Sequence, residues 1–176
     1  MRVFLGLAEI AGYYRGLKEG FQALGHEAEL ITLSGNPFGY AGTTDNSLVD
    51  FWRWLNARPE PSLRALRRVP RTLLFLWAAS RFDLFVFSFG TSLLPGFRDL
   101  PLLKRLGKKL IFQFHGSDSR PPYLDGSVMA KDRGRSIASA IALTHEKKQN
   151  LRIIERYADA VVNSDPAAQL LERPFI

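Results

Sequence analysis

The stretch KKLIFQFHGSDSRPP, residues 108–122, decides how this chain folds. Its first half is apolar and rich in β-formers. At His115 it gives way to glycine, serine, aspartate and arginine, followed by two prolines. An uninterrupted apolar run of this kind reads as a strand covered by helices on both faces, and the polar cluster marks the point where such a strand leaves the core. The cluster is then either a reactive site at a strand end or a polar turn.

Four more runs of the same character lie on either side: RVFLGL (residues 2–7), EAELITL (27–33), FDLFVFSF (82–89) and ADAVVNS (158–164). The segments between them have helical spacing. Residues 13–26 place Tyr14, Leu17, Phe21 and Leu24 three and four apart, with Gly25 as a natural stop. Residues 61–80 form a second helical segment, in which Pro70 marks a kink or a fresh start because it has no N–H to give. A short third spans 95–109 and ends near Gly107. A long fourth covers 129–157, with Ile137, Ile141, Leu151 and Ile154 as core contacts and Gly134 as a weak point. A fifth begins at residue 165 and is interrupted by Pro174. The connection over 34–61 is irregular, a loop followed by a short helix at LVDFWRWL (48–55).

Strands alternating with helices predict an α/β domain: a doubly wound, mainly parallel, Rossmann-like sheet with helices on both faces and right-handed crossovers. The commonest strand order for such a sheet, 3-2-1-4-5, makes the first and fourth strands neighbours where the winding reverses. Ligands bind outside the carboxyl ends of the strands at that point. The loop at 8–14 and the cluster at 115–120 should therefore face one crevice, with residues 89–92 and 163–166 on the same rim.

The totals fit one domain, residues 1–176. The composition is 46% apolar, 12% aromatic and 23% charged, as in a folded globular protein. With no cysteine, disulfides, zinc-thiolate sites and a cysteine nucleophile are excluded. The net charge of +7, from 24 Lys+Arg against 17 Asp+Glu, favours anionic partners such as phosphates, nucleotides or acidic lipids. It equally fits a basic solvated surface. No apolar stretch approaches the ~20 residues of a membrane span, so a soluble or peripheral protein is expected. Arg64, Arg67, Arg68 and Arg71 beside LLFLW, with Phe51, Trp52 and Trp54 upstream, fit contact with an anionic membrane. They also fit a crossover helix with an apolar core side and wet arginines.

Neither a G-x-G-x-x-G fingerprint nor a P-loop is present, which argues against NAD and P-loop chemistry. Nucleic-acid binding has only the net charge in its favour. Gly12, at a helix entrance, lets a backbone approach an anion, or merely makes the turn. His115 can hydrogen-bond a sugar or phosphate and titrates in a useful range. Gly116 leaves room for a ligand or a turn, and Asp118 can orient His115, accept a substrate hydroxyl or cap the turn. Arg120 can pair with an anion. Glu9 faces the cluster from the first loop, where a Glu9–Asp118 pair serves acid–base work or each carboxylate acts as a helix cap. His26 and His145 have no partners at metal-ligand spacing.

Taken in order, the MRV first strand, ALGHEAELITL, RFDLFVFSFG, a strand ending in His-Gly and YADAVVNSDPAAQLL give a sequence that resembles the N-terminal domain of GT-B glycosyltransferases of group 1, also called family 4. The resemblance covers nearly the whole chain. It implies an acceptor-side domain that helps transfer a sugar from a nucleotide-sugar donor, UDP- or GDP-linked, to an acceptor hydroxyl of a glycan or glycolipid, with retention of configuration and no metal. By the same resemblance His115 is the catalytic contact to the reacting sugar and Gly12 belongs to the donor-phosphate loop. Glu9, Gly116, Asp118, Arg120, Asn163 and Ser164 are then acceptor or sugar contacts. The first loop, AEIAG, has one glycine where many relatives have two, and no E-x-x-x-x-x-x-x-E donor motif is present. A C-terminal donor-binding domain is thus expected as a partner, and the chain alone is expected to be inactive. The expected setting is cytoplasmic, peripheral at the inner face of a membrane. The competing expectation is a stand-alone Rossmann-like module that binds a ligand or partner without catalysis.

Overall fold

The computed structural model describes residues 1–33, 46–58, 66, 68–124 and 136–176. Five parallel strands form one sheet: β1 (Arg2–Leu7), β2 (Glu27–Thr32), β3 (Leu84–Ser88), β4 (Lys109–Gln113) and β5 (Ala160–Val162). Among the described residues five α-helices connect them: α1 (Tyr13–Ala23), α2 (Ser47–Asn56), α3 (Arg68–Arg81), α4 (Asp99–Arg105) and α5 (Ile137–Tyr157). This is the expected doubly wound α/β architecture.

The strand order is β2-β1-β3-β4-β5, not 3-2-1-4-5. The third strand pairs with the free edge of β1, opposite Val3 to Gly6, rather than with the outer edge of β2. The reason lies in the two sequences. LFVFS is buried at every position and needs neighbours on both sides, whereas EAELIT carries Glu27 and Glu29 and suits an edge. The winding therefore reverses between β1 and β3, and β4 stands one strand further out.

The two sheet faces are covered unequally. On one, Val3, Leu5, Leu84 and Val86 pack with Tyr14, with Leu17 and Phe21 of α1 partly buried beside them. On the other lies the larger core, to which α2, α3, α4 and α5 contribute Val49, Leu74, Leu100, Leu103, Leu151 and Ile154. A ladder of phenylalanines runs through it: Phe4, Phe82, Phe85, Phe87 and Phe112 meet in edge and tilted pairs at centroid distances of 5.2 to 6.4 Å. Such pairs add about 0.5–1.5 kcal/mol each to the area they bury.

Several boundaries differ from the sequence reading. Pro70 falls in the first turn of α3 and is a fresh start rather than a kink. The long fourth helix is described only from Ile137; Gly134 lies outside the described residues. Leu151 and Ile154 are core, but Ile137 and Ile141 are exposed, and in the first turns of α5 it is Ala140 that is buried. The expected fifth helix is only a 3-10 turn at Asp165–Ala167. After it Arg173 donates to the Glu155 and Ala158 carbonyls, and Ile176 pairs its backbone with Val161 and Asn163, which holds the segment extended along β5.

The loop after β3 is fixed by a buried network. Asp99, fully buried, accepts from Ser92 Oγ at 2.7 Å and from Leu93 N–H at 2.8 Å, while Arg71 donates to the Ser92 and Leu93 carbonyls. Burial raises the Asp99 carboxyl above the ordinary aspartate value. Burial also lowers the Arg71 guanidinium.

Candidate functional site

The candidate site is assembled at the carboxyl ends of β1, β3, β4 and β5. Glu9 follows β1, and its carboxylate accepts from the backbone N–H groups of Ile10 at 2.7 Å, Tyr14 at 3.1 Å and Arg15 at 2.9 Å. It thus satisfies amides that the first turn of a helix leaves open and sets a negative charge at the positive end of α1. Gly12 supplies the left-handed turn into that helix, at φ 82°. The cradle of free N–H groups at α1 is therefore filled in part by the protein's own carboxylate.

After β4 the chain turns sharply. Asp118 accepts from His115 N–H at 3.0 Å and from Gly116 N–H at 2.8 Å, and Gly116 sits at φ 122°, where a side chain would be strained. Asp118 thus orients His115 through the backbone, not through its ring. Glu9 and Asp118 both hold the main chain, which is the capping alternative of the sequence reading.

The ring of His115 is held from the opposite loop. Its Nε2 lies 2.8 Å from the hydroxyl of Tyr14, and the rings of Tyr13, Tyr14 and Phe89 surround it at centroid distances of 5.0 to 5.5 Å. Burial holds the imidazole below its ordinary value against the opposing Asp118 and Glu9 carboxylates. Burial, aided by Tyr13, pushes the Tyr14 phenol well above its usual range, so it keeps its proton. The contact is a neutral hydrogen bond. Nδ1 has no partner among the described residues, and it presents a donor or an acceptor according to which group donates at Nε2.

Between Phe89, Gly90, Asp118 and the α5 residues Lys147 and Asn150 lies a pocket of about 160 Å³; His115 does not line it and reaches it through its ring contact with Phe89 and its backbone bond to Asp118. Lys147 donates to the Ser117 and Arg120 carbonyls, tying α5 to the turn. Arg120 packs its guanidinium against the open side of Gly116, and its Nε is buried without a hydrogen-bond partner among the described residues. Ser119, fully buried, donates to the Ala167 carbonyl and accepts from Asn163 Nδ2 at 3.0 Å. Asn163 Oδ1 in turn accepts from Ser164 N–H. The structure thus links the sequence-selected residues into one continuous rim, although the side chain of Asn163 serves to join two loops. Among the described residues no group of three His, Asp or Glu could hold a metal.

A chain with this sheet, and with a histidine at the fourth strand end, matches the family model of the glycosyl transferase 4-like domain over residues 10–174. The chain belongs to that family. No curated protein sequence matches it significantly. Two residues of the glycosyl transferase 4-like domain, Tyr14 and Phe89, lie in segments that the sequence places on the rim, 8–14 and 89–92, but were given no role there. Tyr14 fits the core spacing of α1, and only its hydroxyl, at a position where phenylalanine would pack as well, signals a polar partner. Phe89 ends an apolar strand and carries no such mark.

Proposed function

We propose that this glycosyl transferase 4-like domain forms the acceptor side of a cleft in which a sugar passes from a nucleotide-sugar donor, UDP- or GDP-linked, to an acceptor hydroxyl, with His115 as the contact to the reacting sugar. The observation that carries the reading is His115 itself, with Nε2 bound by Tyr14 and Nδ1 without a partner among the described residues, at a strand end whose neighbours Phe89 and Asp118 line a pocket. A neutral imidazole fixed in one orientation can hydrogen-bond a sugar hydroxyl and pass a proton without first losing one. Of the rings around it, Tyr13 is exposed and Phe89 half-buried, and these two can pack against a sugar ring.

The pocket, about 160 Å³, is smaller than the ~300–1,000 Å³ of complete small-molecule sites. That supports a shared cleft, in which a second, donor-binding domain supplies the nucleotide side and transfer waits for it. A non-catalytic reading, a ligand-binding module, has one observation in its favour: Glu9 and Asp118 are both engaged by backbone N–H groups.

The test is transfer from UDP- and GDP-sugars by the chain paired with a donor domain, read alongside isothermal titration of the chain alone. His115→Ala is expected to lower kcat by roughly 10²-fold or more, in the range of general acid–base groups, with an unchanged circular dichroism spectrum. Undiminished kcat removes His115 from the reaction. Tight nucleotide binding by the chain alone, without transfer when paired, favours the module.

A further inference from the structure

The outward side of α3 is apolar where a surface helix is ordinarily polar. Val69, Leu73 and Leu76 are all exposed, Leu76 to 56%, and Leu66 is exposed just before them. Their spacing of four and three places them on one side, while Leu74, Phe75 and Ala78 fill the core from the other. The neighbouring α2, packed against α3, leaves Phe51 and Trp54 exposed as a stacked pair 6.0 Å apart, with the Arg58 guanidinium 4.0 Å above the Trp54 ring. A contiguous apolar stripe in water marks an interaction surface.

Charge identifies the partner. Residues 62–81 carry five arginines and no acidic residue. Arg71 turns inward to the Ser92 and Leu93 carbonyls, and Arg81 pairs with Glu29. Arg68 and Arg98 make no ion pair among the described residues. With Thr72, Leu94, Pro95 and Gly96 they line a pocket of about 350 Å³, and Arg68 and Thr72 each immediately precede a residue of the stripe. Two cations around a recess match a phosphate, and the adjoining leucines match acyl chains.

We propose that the α3 face docks on an anionic bilayer, with Val69, Leu73 and Leu76 entering the headgroup boundary and the Arg68–Arg98 recess taking a lipid phosphate. Among the described residues no helix is long and apolar enough to cross a membrane, so the contact is peripheral. The inference does not depend on the sugar-transfer reading.

Flotation of the chain with phosphatidylcholine vesicles, with and without phosphatidylglycerol, tests it. The chain is expected to float only with the anionic vesicles. The triple variant Val69→Ser, Leu73→Ser, Leu76→Ser, which leaves the core untouched, is expected to stay behind. Arg68→Gln and Arg98→Gln are each expected to lower partitioning about five-fold, as the loss of one surface cation predicts. Circular dichroism checks that each variant is folded. Absence of flotation, equal flotation with neutral vesicles, or full flotation of the triple variant would overturn the proposal. So would release from the vesicles by excess inorganic phosphate at constant ionic strength, which assigns the recess to a free anion. A dimer in lipid-free buffer that the triple variant dissolves assigns the stripe to a second copy and overturns it as well.

Discussion

At the scale of single residues, His115 is the group whose chemistry depends most on its surroundings. Burial lowers its imidazole below 6.5, so the folded chain resists the proton that the unfolded chain accepts. The consequence for stability has a definite sign. As pH falls through about 6.5 the unfolded state protonates first, and stability is lost until pH passes below the lowered folded value, where the loss levels off. Urea midpoints of the wild type and His115→Gln, followed from about pH 7.5 to about pH 5, are expected to show this component in the wild type alone. A constant difference between the two across that range would show that the ring is not shielded. Tyr14 was legible as the end of a rim loop and as a core position of α1, but its bond to His115 was not, since periodicity reports which side of a helix is buried and says nothing of what a hydroxyl meets.

The turn after β4 and the start of α1 are the elements that place this histidine, and each is organised by one carboxylate. Asp118→Ala leaves the N–H groups of His115 and Gly116 without their acceptor. The expected cost is about 1–3 kcal/mol in urea unfolding, with Asp118→Asn, which keeps one acceptor oxygen, losing less. If both variants matched the wild type, the turn would be held by Ser119 and Lys147 instead. The sequence marked both carboxylates as either chemical or capping, and composition cannot separate these roles because both require a short-range anion beside a turn. The elements themselves were legible: all five strands, the stop near Gly25 and the short helix at 48–55 follow from pattern alone. The fifth helix was not, because Pro174 and the contacts of Arg173 with α5 override its local propensity.

For the molecule as a whole, strand order was the part that pattern could not reach. Apolar runs announce a parallel sheet, but the choice between 3-2-1-4-5 and 2-1-3-4-5 depends on which strand can bear an edge, a comparison between strands rather than a property of one. The two glutamates of β2 make that comparison. Beyond deciding topology, they bear on how the chain behaves in a crowded solution. The outer backbone of β2 pairs with no strand among the described residues, and such an edge is a template for other chains. With Glu27 and Glu29 in place the strand reads EAELIT; with valine at both it would read VAVLIT, an uncharged β-forming segment of the kind that seeds cross-β stacking. The double variant Glu27→Val, Glu29→Val is therefore expected to fold to the same circular dichroism spectrum yet to gain thioflavin T signal within a shorter lag than the wild type. An equal lag would show that the edge is guarded by something other than its charge. The residues that give the sheet its boundary are, on this argument, also what keeps one molecule's sheet from continuing into the next.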